Sequence, residues 1–382
     1  MKKIAILTIN DYQNYGNRLQ NYAAQEVIKS FGFQVETIVN STNYALLNPN
    51  KITKIAKVKN LIELPVKEAY NKVSFKIWKL INKNKLNYLT NKKVESFKIF
   101  TSTYIKEAEI TIAENNIPSD LSNKYDYFVT GSDQVWNPAF RYGSSIDFLT
   151  FAPPSKRIAY APSFGVSEIP IEYVDKYKLW LSQMSNLSVR ENAGANIIKD
   201  LTGRDTPVLV DPTLMLTKEK WISVSKAASN KPTKNYLLTY FLGGVSEKNK
   251  NIIKEISKKN DLQIVNLADM NEADTFVQGP SEFIDYINSA SLFFTDSFHG
   301  VVFSILMETP FIVFDRRGHE PSMNSRIDTI LSTFQLNSRL FKNINFDSNE
   351  EIFEVDFFHV ESIVEGERNK VCKYLKGALQ VK

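Results

Sequence analysis

The sequence has one cysteine, Cys372, and three histidines among 382 residues. One thiol excludes an intrachain disulfide, and the cysteines and histidines are too few for a clustered site, so we expect no metal ion. The glycine-rich loop with which P-loop enzymes hold phosphate is also absent. Such sparse cysteine usage is typical of a reducing compartment, so we expect a cytoplasmic protein.

The sequence also lacks an apolar run of about 18 residues, the length that a membrane span needs. Its apolar beginning, residues 1–9, stops at Asn10 without a small-residue cleavage site and predicts a buried strand, not a signal peptide. The sequence also lacks the low hydrophobicity of a disordered chain, since 43% of the residues are hydrophobic and 12% are aromatic. We therefore expect a soluble, folded protein whose length predicts two domains.

Positive charge is concentrated in one segment, although the net charge of the whole chain is only +5. Residues 51–100 contain thirteen lysines and three glutamates, a net charge of +10. Two interpretations stay open: peripheral contact with anionic lipid or a diphosphate-linked glycan carrier, or a helical insertion with a solvated lysine face. We expect no nucleic-acid partner, because the segment lacks interleaved arginine and aromatic residues.

Short β-branched runs alternate with helical patterns over most of the chain, which is typical of parallel sheets covered by helices. Strands are predicted at 4–9, 34–39, 125–130, 157–161, 187–189, 208–210, 236–240, 263–266, 292–295 and 311–314. Helices are predicted at 18–31, 174–183, 192–201, 247–259, 281–289, 300–307 and along 349–382. We therefore expect an α/β protein with two Rossmann-like domains, 1–215 and 216–382, and a lysine-rich helical insertion at about 45–115.

Open parallel sheets bind ligands beyond the carboxyl ends of their strands, so the residues after each strand are candidates for a site. Asn17 and Gln20 follow the first strand at the start of a helix, where free N–H groups favour an anion or a sugar hydroxyl. Ser163 follows the strand at 157–161, in a loop whose proline and glycine fix its path. A helix cap for the first pair and a structural turn for Ser163 are the alternative interpretations.

The loop after the strand at 125–130 is rich in polar and aromatic groups. Asp133, Gln134 and Trp136 lie within four residues of each other. A carboxylate and an amide can bond sugar hydroxyls, and an indole can stack on a sugar ring, so this loop favours sugar binding. The alternative is that Asp133 caps a helix and Trp136 belongs to the core.

Cationic groups follow other strands. Arg190, which precedes a glutamate, predicts either a buried ion pair or a fork for a carboxylate or phosphate. His299 lies between a predicted strand and a helix start, a position that favours chemistry over a structural role. Arg316, Arg317 and Arg326 follow the last strand and suit recognition of a small anion of charge two or three.

Five stretches, in this order and spacing, resemble the polysaccharide pyruvyl transferase family, in the branch common in capsule and exopolysaccharide gene clusters. They are residues 125–138, 188–191, 211–213, 295–300 and 324–327. The resemblance covers nearly the whole chain except the lysine-rich insertion. It implies a fold similar to that of the GT-B glycosyltransferases, phosphoenolpyruvate as donor and a hydroxylated sugar as acceptor, held as a lipid-linked oligosaccharide or a nucleotide sugar.

The resemblance also implies roles for single residues. Arg190 corresponds to the arginine that binds phosphoenolpyruvate, and His299 to the family's histidine. Ketal formation needs an acid and a base, for which His299 and Asp133 are the candidates, with the assignment between them open. No cofactor beyond the co-substrate phosphoenolpyruvate is implied.

One departure from the family pattern concerns the donor site. Many members carry arginine and leucine before the histidine, where this chain has Ser297 and Phe298. We therefore expect a cation from the loop at 316–326 to replace the missing arginine. Ser297, Asn324 and Ser325 complete the candidates for substrate binding.

Two other functions stay open on the sequence alone. A GT-B nucleotide-sugar glycosyltransferase has the same architecture, with Glu320 as a ribose ligand. A non-enzymatic glycan-binding protein is the third candidate, but it has no need of arginines and a histidine at strand ends. The sequence leaves the sugar, the bridged hydroxyl pair and the oligomeric state undetermined.

Overall fold

The computed structural model describes residues 1–47, 74, 77–316 and 325–381. Among them, a first parallel sheet has the strand order β3-β2-β1-β4-β5. Its strands are β1 Lys3–Leu7, β2 Gln34–Asn40, β3 Glu107–Ile112, β4 Tyr127–Thr130 and β5 Arg157–Ala159. The central strand β1 pairs with both β2 and β4, and its apolar side chains are buried, as a strand covered on both faces requires.

A second parallel sheet follows in the described part of the chain, with the order β7-β6-β8-β9. Its strands are β6 Tyr236–Tyr240, β7 Gln263–Asn266, β8 Leu292–Thr295 and β9 Phe311–Val313. Because all pairs are parallel, the carboxyl ends of the strands lie at one edge of each sheet. We refer to the chain up to residue 215 as the first half and to the remainder as the second half.

Helices cover both sheets. In the first half they are α1 Tyr15–Ser30, α2 Tyr44–Leu47, α3 Lys83–Tyr104, α4 Pro138–Arg141, α5 Ile171–Ser182 and α6 Asn192–Thr202. In the second half they are α7 Lys218–Val224, α8 Glu247–Lys259, α9 Ala273–Phe276, α10 Pro280–Ser289, α11 Phe298–Met307, α12 Ser325–Thr333, α13 Asn349–Phe353 and α14 Val360–Leu379. Side-chain caps fix several starts, as where Ser297 accepts a bond from the Gly300 N–H at 3.3 Å and begins α11.

The two halves share a core. Tyr15 of α1 stacks on Phe283 of α10 with ring centroids 4.4 Å apart, and it also contacts Tyr240 at 5.4 Å. Helix α3 packs on α1 and against the second half, where Ser96 Oγ donates to the Val277 carbonyl at 2.8 Å. These contacts hold the carboxyl ends of both sheets near one another.

Helix α14 returns to the first half. Val371, Leu375 and Leu379 are buried in one cluster with the β1 side chains of Ile4 and Ile6. The Tyr374 hydroxyl also donates to a carbonyl of β5 at 2.7 Å. The first half therefore uses the last helix of the chain to complete its core.

The structure confirms the predicted α/β fold with two Rossmann-like sheets and corrects two details. Residues 187–189 and 208–210 are not strands but make single bridges, such as Val189 to Val208. The predicted insertion at 45–115 is helical over α3 but then supplies β3, an edge strand of the first sheet. Its residues 48–73 and 75–76 lie outside the described residues. Among the described residues, no helix has the length and apolarity that a membrane crossing needs.

Candidate active site between the two sheets

A buried carboxylate, Asp211, lies at the centre of a polar cluster. Its Oδ2 accepts hydrogen bonds from Arg190 Nη1 at 2.7 Å and from Ser132 Oγ at 2.8 Å. Its Oδ1 accepts from the backbone N–H and the hydroxyl of Thr213 at 3.1 and 2.7 Å. On the second half, His299 Nε2 is 3.6 Å from the same Oδ2. Asp211 therefore joins the two halves at one point.

The charges around Asp211 determine its protonation. Burial alone would raise its pKa, but His299, Arg190 and the backbone bond from Thr213 together hold the pKa far below its usual range. Asp211 is therefore ionised at neutral pH.

A second carboxylate, Asp133, lies just beyond the carboxyl end of β4 with a left-handed φ of 70°. It accepts a hydrogen bond from Asn17 Nδ2, and its Oδ1 is 3.5 Å from Arg190 Nη2. Burial tends to raise its pKa, but Arg190, His299 and Arg326 lower it overall. Asp133 is a buried carboxylate that pairs with Arg190.

His299 approaches the first half closely. It occupies the first turn of α11 and contacts the start of α1, where a Cβ added to Gly16 would lie 2.0 Å from His299 Nδ1. Only a glycine leaves room for the imidazole there. His299 Nε2 makes no hydrogen bond within the described residues, but it lies 3.6 Å from the charged Asp211 Oδ2.

Two buried guanidinium groups contact the ring of Phe298. The Cζ of Arg190 lies 4.3 Å and that of Arg326 5.9 Å from the ring centroid. Arg326 makes no ion pair with a described residue, and its Nε has no hydrogen-bond partner there. Burial and the nearby Arg190 lower the pKa of Arg326 to about 10, which is the expected effect of two like charges in a dry site.

A cavity of about 210 Å³ lies beside this pair of arginines. Its wall includes Arg190 and Asp211 from the first half and Phe298, Arg326 and Thr329 from the second. The cavity has the size of a small organic acid. Glu367 and Lys370 also line it, whereas His299 and Asp133 do not. Its arrangement suits an anion that neutralises both guanidinium groups.

A sequence model of the family described as polysaccharide pyruvyl transferase matches residues 14–318. The chain belongs to the polysaccharide pyruvyl transferase family. It is therefore a transferase of polysaccharide biosynthesis, as the resemblance implied. The matched residues include Arg190, Asp211 and His299, whereas Arg326 follows them. Comparison with curated proteins gives no significant match.

Three solved structures are similar to this pyruvyl transferase along nearly its whole length. The S. aureus MnaA–UDP co-structure has a TM-score of 0.49 at 11% identity, over 100% of this chain and 98% of that one. The UDP-GlcNAc 2-epimerase of Methanocaldococcus jannaschii, in complex with UDP-GlcNAc and UDP, has a TM-score of 0.44 at 13% identity, over 97% and 94%. Arabidopsis thaliana UGT89C1, complexed with UDP-L-rhamnose, has a TM-score of 0.41 at 10% identity, over 100% and 94%.

The polar cluster contains most of the cationic and acidic residues that the sequence indicated. Arg190 and His299 meet at Asp211, and Asp133 contacts Arg190 and Asn17. Arg326 joins them across Phe298. The sequence interpretation missed Asp211, although its Asp-Pro-Thr motif was part of the resemblance, and it missed the requirement for glycine at position 16.

Three predicted substrate ligands are fully buried and serve the fold instead. Trp136 stacks on Phe148 at 5.0 Å and donates its indole N–H to the Asp147 carbonyl at 2.9 Å, so it cannot stack on a sugar. Gln20 donates to Thr8 Oγ1 at 2.7 Å. Ser163 donates to the buried Glu191 at 2.9 Å. Each of these side chains forms a hydrogen bond within the first half of this pyruvyl transferase.

The other predicted ligands lie at the edge of the site or outside the described residues. Gln134 is half-buried and accepts from Asn137 at 2.7 Å, and Ser297 is occupied as the cap of α11. Arg316 donates to the Asp296 carbonyl at 2.9 Å, so one of its nitrogens is already bonded. Ser325 begins α12 with a buried hydroxyl that has no described partner. Arg317, Asn324 and the alternative ribose ligand Glu320 lie outside the described residues.

Proposed function

We propose that this pyruvyl transferase moves pyruvate from phosphoenolpyruvate to a pair of sugar hydroxyls as a ketal, during assembly of a capsule or exopolysaccharide. The observation that carries the proposal is the pair of buried guanidinium groups, Arg190 and Arg326, beside one cavity. Arg190 is neutralised by Asp211, but Arg326 has no carboxylate partner among the described residues. A small trianion in the cavity would supply the missing negative charge.

The reaction needs a proton donor, a proton acceptor and cations. A proton adds to the methylene carbon of phosphoenolpyruvate, which becomes the methyl group of the ketal. A sugar hydroxyl then bonds the central carbon and loses its proton, and the bond from that carbon to the phosphate oxygen breaks. The second hydroxyl bonds the same carbon and loses its proton to the departing phosphate. Inorganic phosphate leaves, and the sugar gains a cyclic ketal.

We propose distinct roles for the two acid–base candidates, which contact Arg190 and Asp211 of the cavity wall. The lowered pKa of Asp133 keeps its carboxylate ionised, so it can accept the proton of the sugar hydroxyl. His299, whose Nε2 lies 3.6 Å from Asp211 Oδ2, is the candidate to deliver a proton to the donor. Arg190 and Arg326 would bind the phosphate and carboxylate groups and stabilise charge as the phosphate departs.

The acceptor is the less constrained partner. We propose a hydroxylated sugar presented on a lipid-linked oligosaccharide or a nucleotide sugar, reached from the cytoplasm. Asn17, whose amide bonds Asp133, lies at the start of α1 and is the residue best placed to contact a sugar beside the proposed base. The single cysteine fits a reducing compartment.

The decisive experiment is incubation of the purified protein with phosphoenolpyruvate and the lipid-linked oligosaccharide of its own host pathway. A product heavier by pyruvate minus one water, with an equal amount of phosphate released, is the expected result. Phosphate release without the acceptor, or no gain in mass, would contradict the proposal.

Thermal unfolding separates this function from the glycosyltransferase alternative. Ligand at about 100 times its Kd stabilises a protein by about 2.7 kcal/mol. We expect phosphoenolpyruvate to raise the Tm and uridine or guanosine diphosphate to leave it unchanged. The reverse pattern would favour a glycosyltransferase.

A further inference from the structure

The helix that begins the described part of the lysine-rich segment exposes an apolar stripe. Residues 77–81 are helical and lead into α3. Ile77, Leu80, Ile81 and Tyr88 are 51%, 73%, 78% and 61% exposed. These are among the largest exposures of apolar side chains in the described chain, and exposed apolar groups that lie together mark an interaction surface.

The exposed residues lie on one side of the helix. At about 100° per residue, Ile77, Leu80, Ile81 and Tyr88 fall within one sector of about 100°. The buried residues of α3, including Leu89 and Phe97, point away from that sector toward the shared core. The stripe is therefore a second apolar face of the helix, separate from the face that packs against the core.

Lysines surround the stripe. Lys83 and Lys85 are exposed on either side of it, and residues 77–94 contain no aspartate or glutamate. A helix with an apolar stripe and basic residues beside it is typical of helices that lie in the interface of an anionic bilayer. Its apolar side chains enter the headgroup boundary, while the lysines reach anionic headgroups, each contributing to attraction.

We propose that this stripe docks the protein on an anionic membrane surface. The charge favours a bilayer over a second copy of this chain, because two identical lysine-flanked stripes would repel each other. Docking goes beyond the proposed function, since binding to lipid requires no pyruvate transfer. It would place the enzyme beside lipid-linked acceptors.

The stripe is connected to the active site by direct packing. Phe97 of α3 contacts Tyr15 of α1 with ring centroids 5.1 Å apart. The next residue, Gly16, is the glycine against which His299 packs. The helix that contacts the membrane therefore supports the wall of the site itself.

Co-sedimentation of the full chain with vesicles tests the proposal. We expect binding to vesicles of phosphatidylglycerol and phosphatidylcholine in equal parts, and at least tenfold weaker binding to phosphatidylcholine alone. The double variant Leu80→Ser and Ile81→Ser should bind the anionic vesicles at least tenfold more weakly than wild type. Ile171→Ser, which changes an equally exposed apolar residue on α5, is the matched control and should bind as wild type does.

Three outcomes would overturn the proposal: no binding by the wild type, equal binding to both kinds of vesicle, or full binding by the double variant. Loss of a dimer in the double variant, seen by light scattering without any lipid effect, would assign the stripe to a second copy instead. Phosphate release with a soluble acceptor should be unchanged in the double variant. Failure of docking is thus distinguishable from failure of the proposed transfer reaction.

Discussion

Arg190 and His299, from different halves of the chain, approach the same carboxylate oxygen, Asp211 Oδ2, at 2.7 and 3.6 Å. Asp211 is thus both the partner of a buried arginine and the point at which the second half meets the first. Removing the charge of Asp211 tests its role as the partner of Arg190 and its role in joining the two halves.

Asp211→Asn should lower the free energy of unfolding by about 3 to 5 kcal/mol, because the charge of the buried Arg190 then keeps only the Asp133 carboxylate, 3.5 Å away, as an ion-pair partner among the described residues. Urea unfolding measures this loss. Asp205→Asn is the control, since Asp205 pairs with Lys199 at the surface and such pairs contribute about 0 to 1 kcal/mol. Equal small losses in both variants would show that Arg190 does not depend on Asp211.

Arg326→Met should weaken phosphoenolpyruvate binding while raising stability. The wild-type guanidinium is buried beside Arg190, and its lowered pKa of about 10 means that the fold disfavours its charge. We expect a gain on the order of 1 to 3 kcal/mol in unfolding free energy and a loss of the Tm increase that phosphoenolpyruvate causes. Arg368→Met, which removes bonds to the Leu214 and Leu216 carbonyls, should lose stability but keep the donor response.

His299→Asn should reduce kcat for acceptor-dependent phosphate release by about 10²- to 10⁴-fold, the usual contribution of a positioned acid or base. Binding of phosphoenolpyruvate, measured by calorimetry, should change little. His359→Asn is the control, because His359 does not line the cavity and its Nε2 bonds the backbone carbonyl of Phe334. A kcat near wild type would remove His299 from the proposed chemistry.

Gly16→Ala should lower activity without unfolding the protein. Alanine in a helix ordinarily stabilises by about 0.5 to 1 kcal/mol, but here its Cβ would lie 2.0 Å from His299 Nδ1. The imidazole must move, and a displacement of that size can cost about 10²-fold in rate. Gly366→Ala on α14 has open space and should only stabilise.

Lys93→Met should change how stability depends on pH. Burial lowers the pKa of Lys93 to about 8, against the opposing effect of Asp11, and the ammonium lies 4.7 and 4.6 Å from the rings of Tyr15 and Phe276. Between pH 8 and 10.5 the unfolded chain holds this proton and the folded chain does not, so the contribution of Lys93 to stability rises with pH.

Relative to wild type, Lys93→Met should therefore be most stable below about pH 8, where the wild type must bury a charged lysine. This advantage in unfolding free energy should shrink by on the order of 1 to 3 kcal/mol as the pH approaches the pKa of free lysine. Urea titrations across this range measure the shift. The exposed Lys254→Met on α8 should show no such slope.

The sequence predicted the fold because its strands and helices have distinct periods. The strands β6, β7 and β8 were predicted with the bounds that the structure has. The edge strand β3 was missed inside the lysine-rich insertion, although its alternating Glu107–Ile112 is typical of a strand with one exposed face. The charge of the preceding segment masked that local pattern.

The site could be predicted only in part, because its partners depend on tertiary contacts. Arg190 and His299 could be picked out because each follows a predicted strand. Their meeting at Asp211, however, depends on the bridge between Val189 and Val208, which no periodicity in the sequence indicates. Trp136 was misjudged because core and sugar-binding aromatics look alike in a loop after a strand. Whether its indole N–H finds a carbonyl is decided by residues farther along the chain.

The return of α14 to the first sheet bears on how the chain folds during translation. Ile4 and Ile6 leave the ribosome early, whereas Val371 and Leu375, which cover them, are synthesised several hundred residues later. At about 5 to 20 residues per second, the nascent first half waits tens of seconds with an incomplete core. It is then a natural client for chaperones that shield apolar surface until elongation is complete.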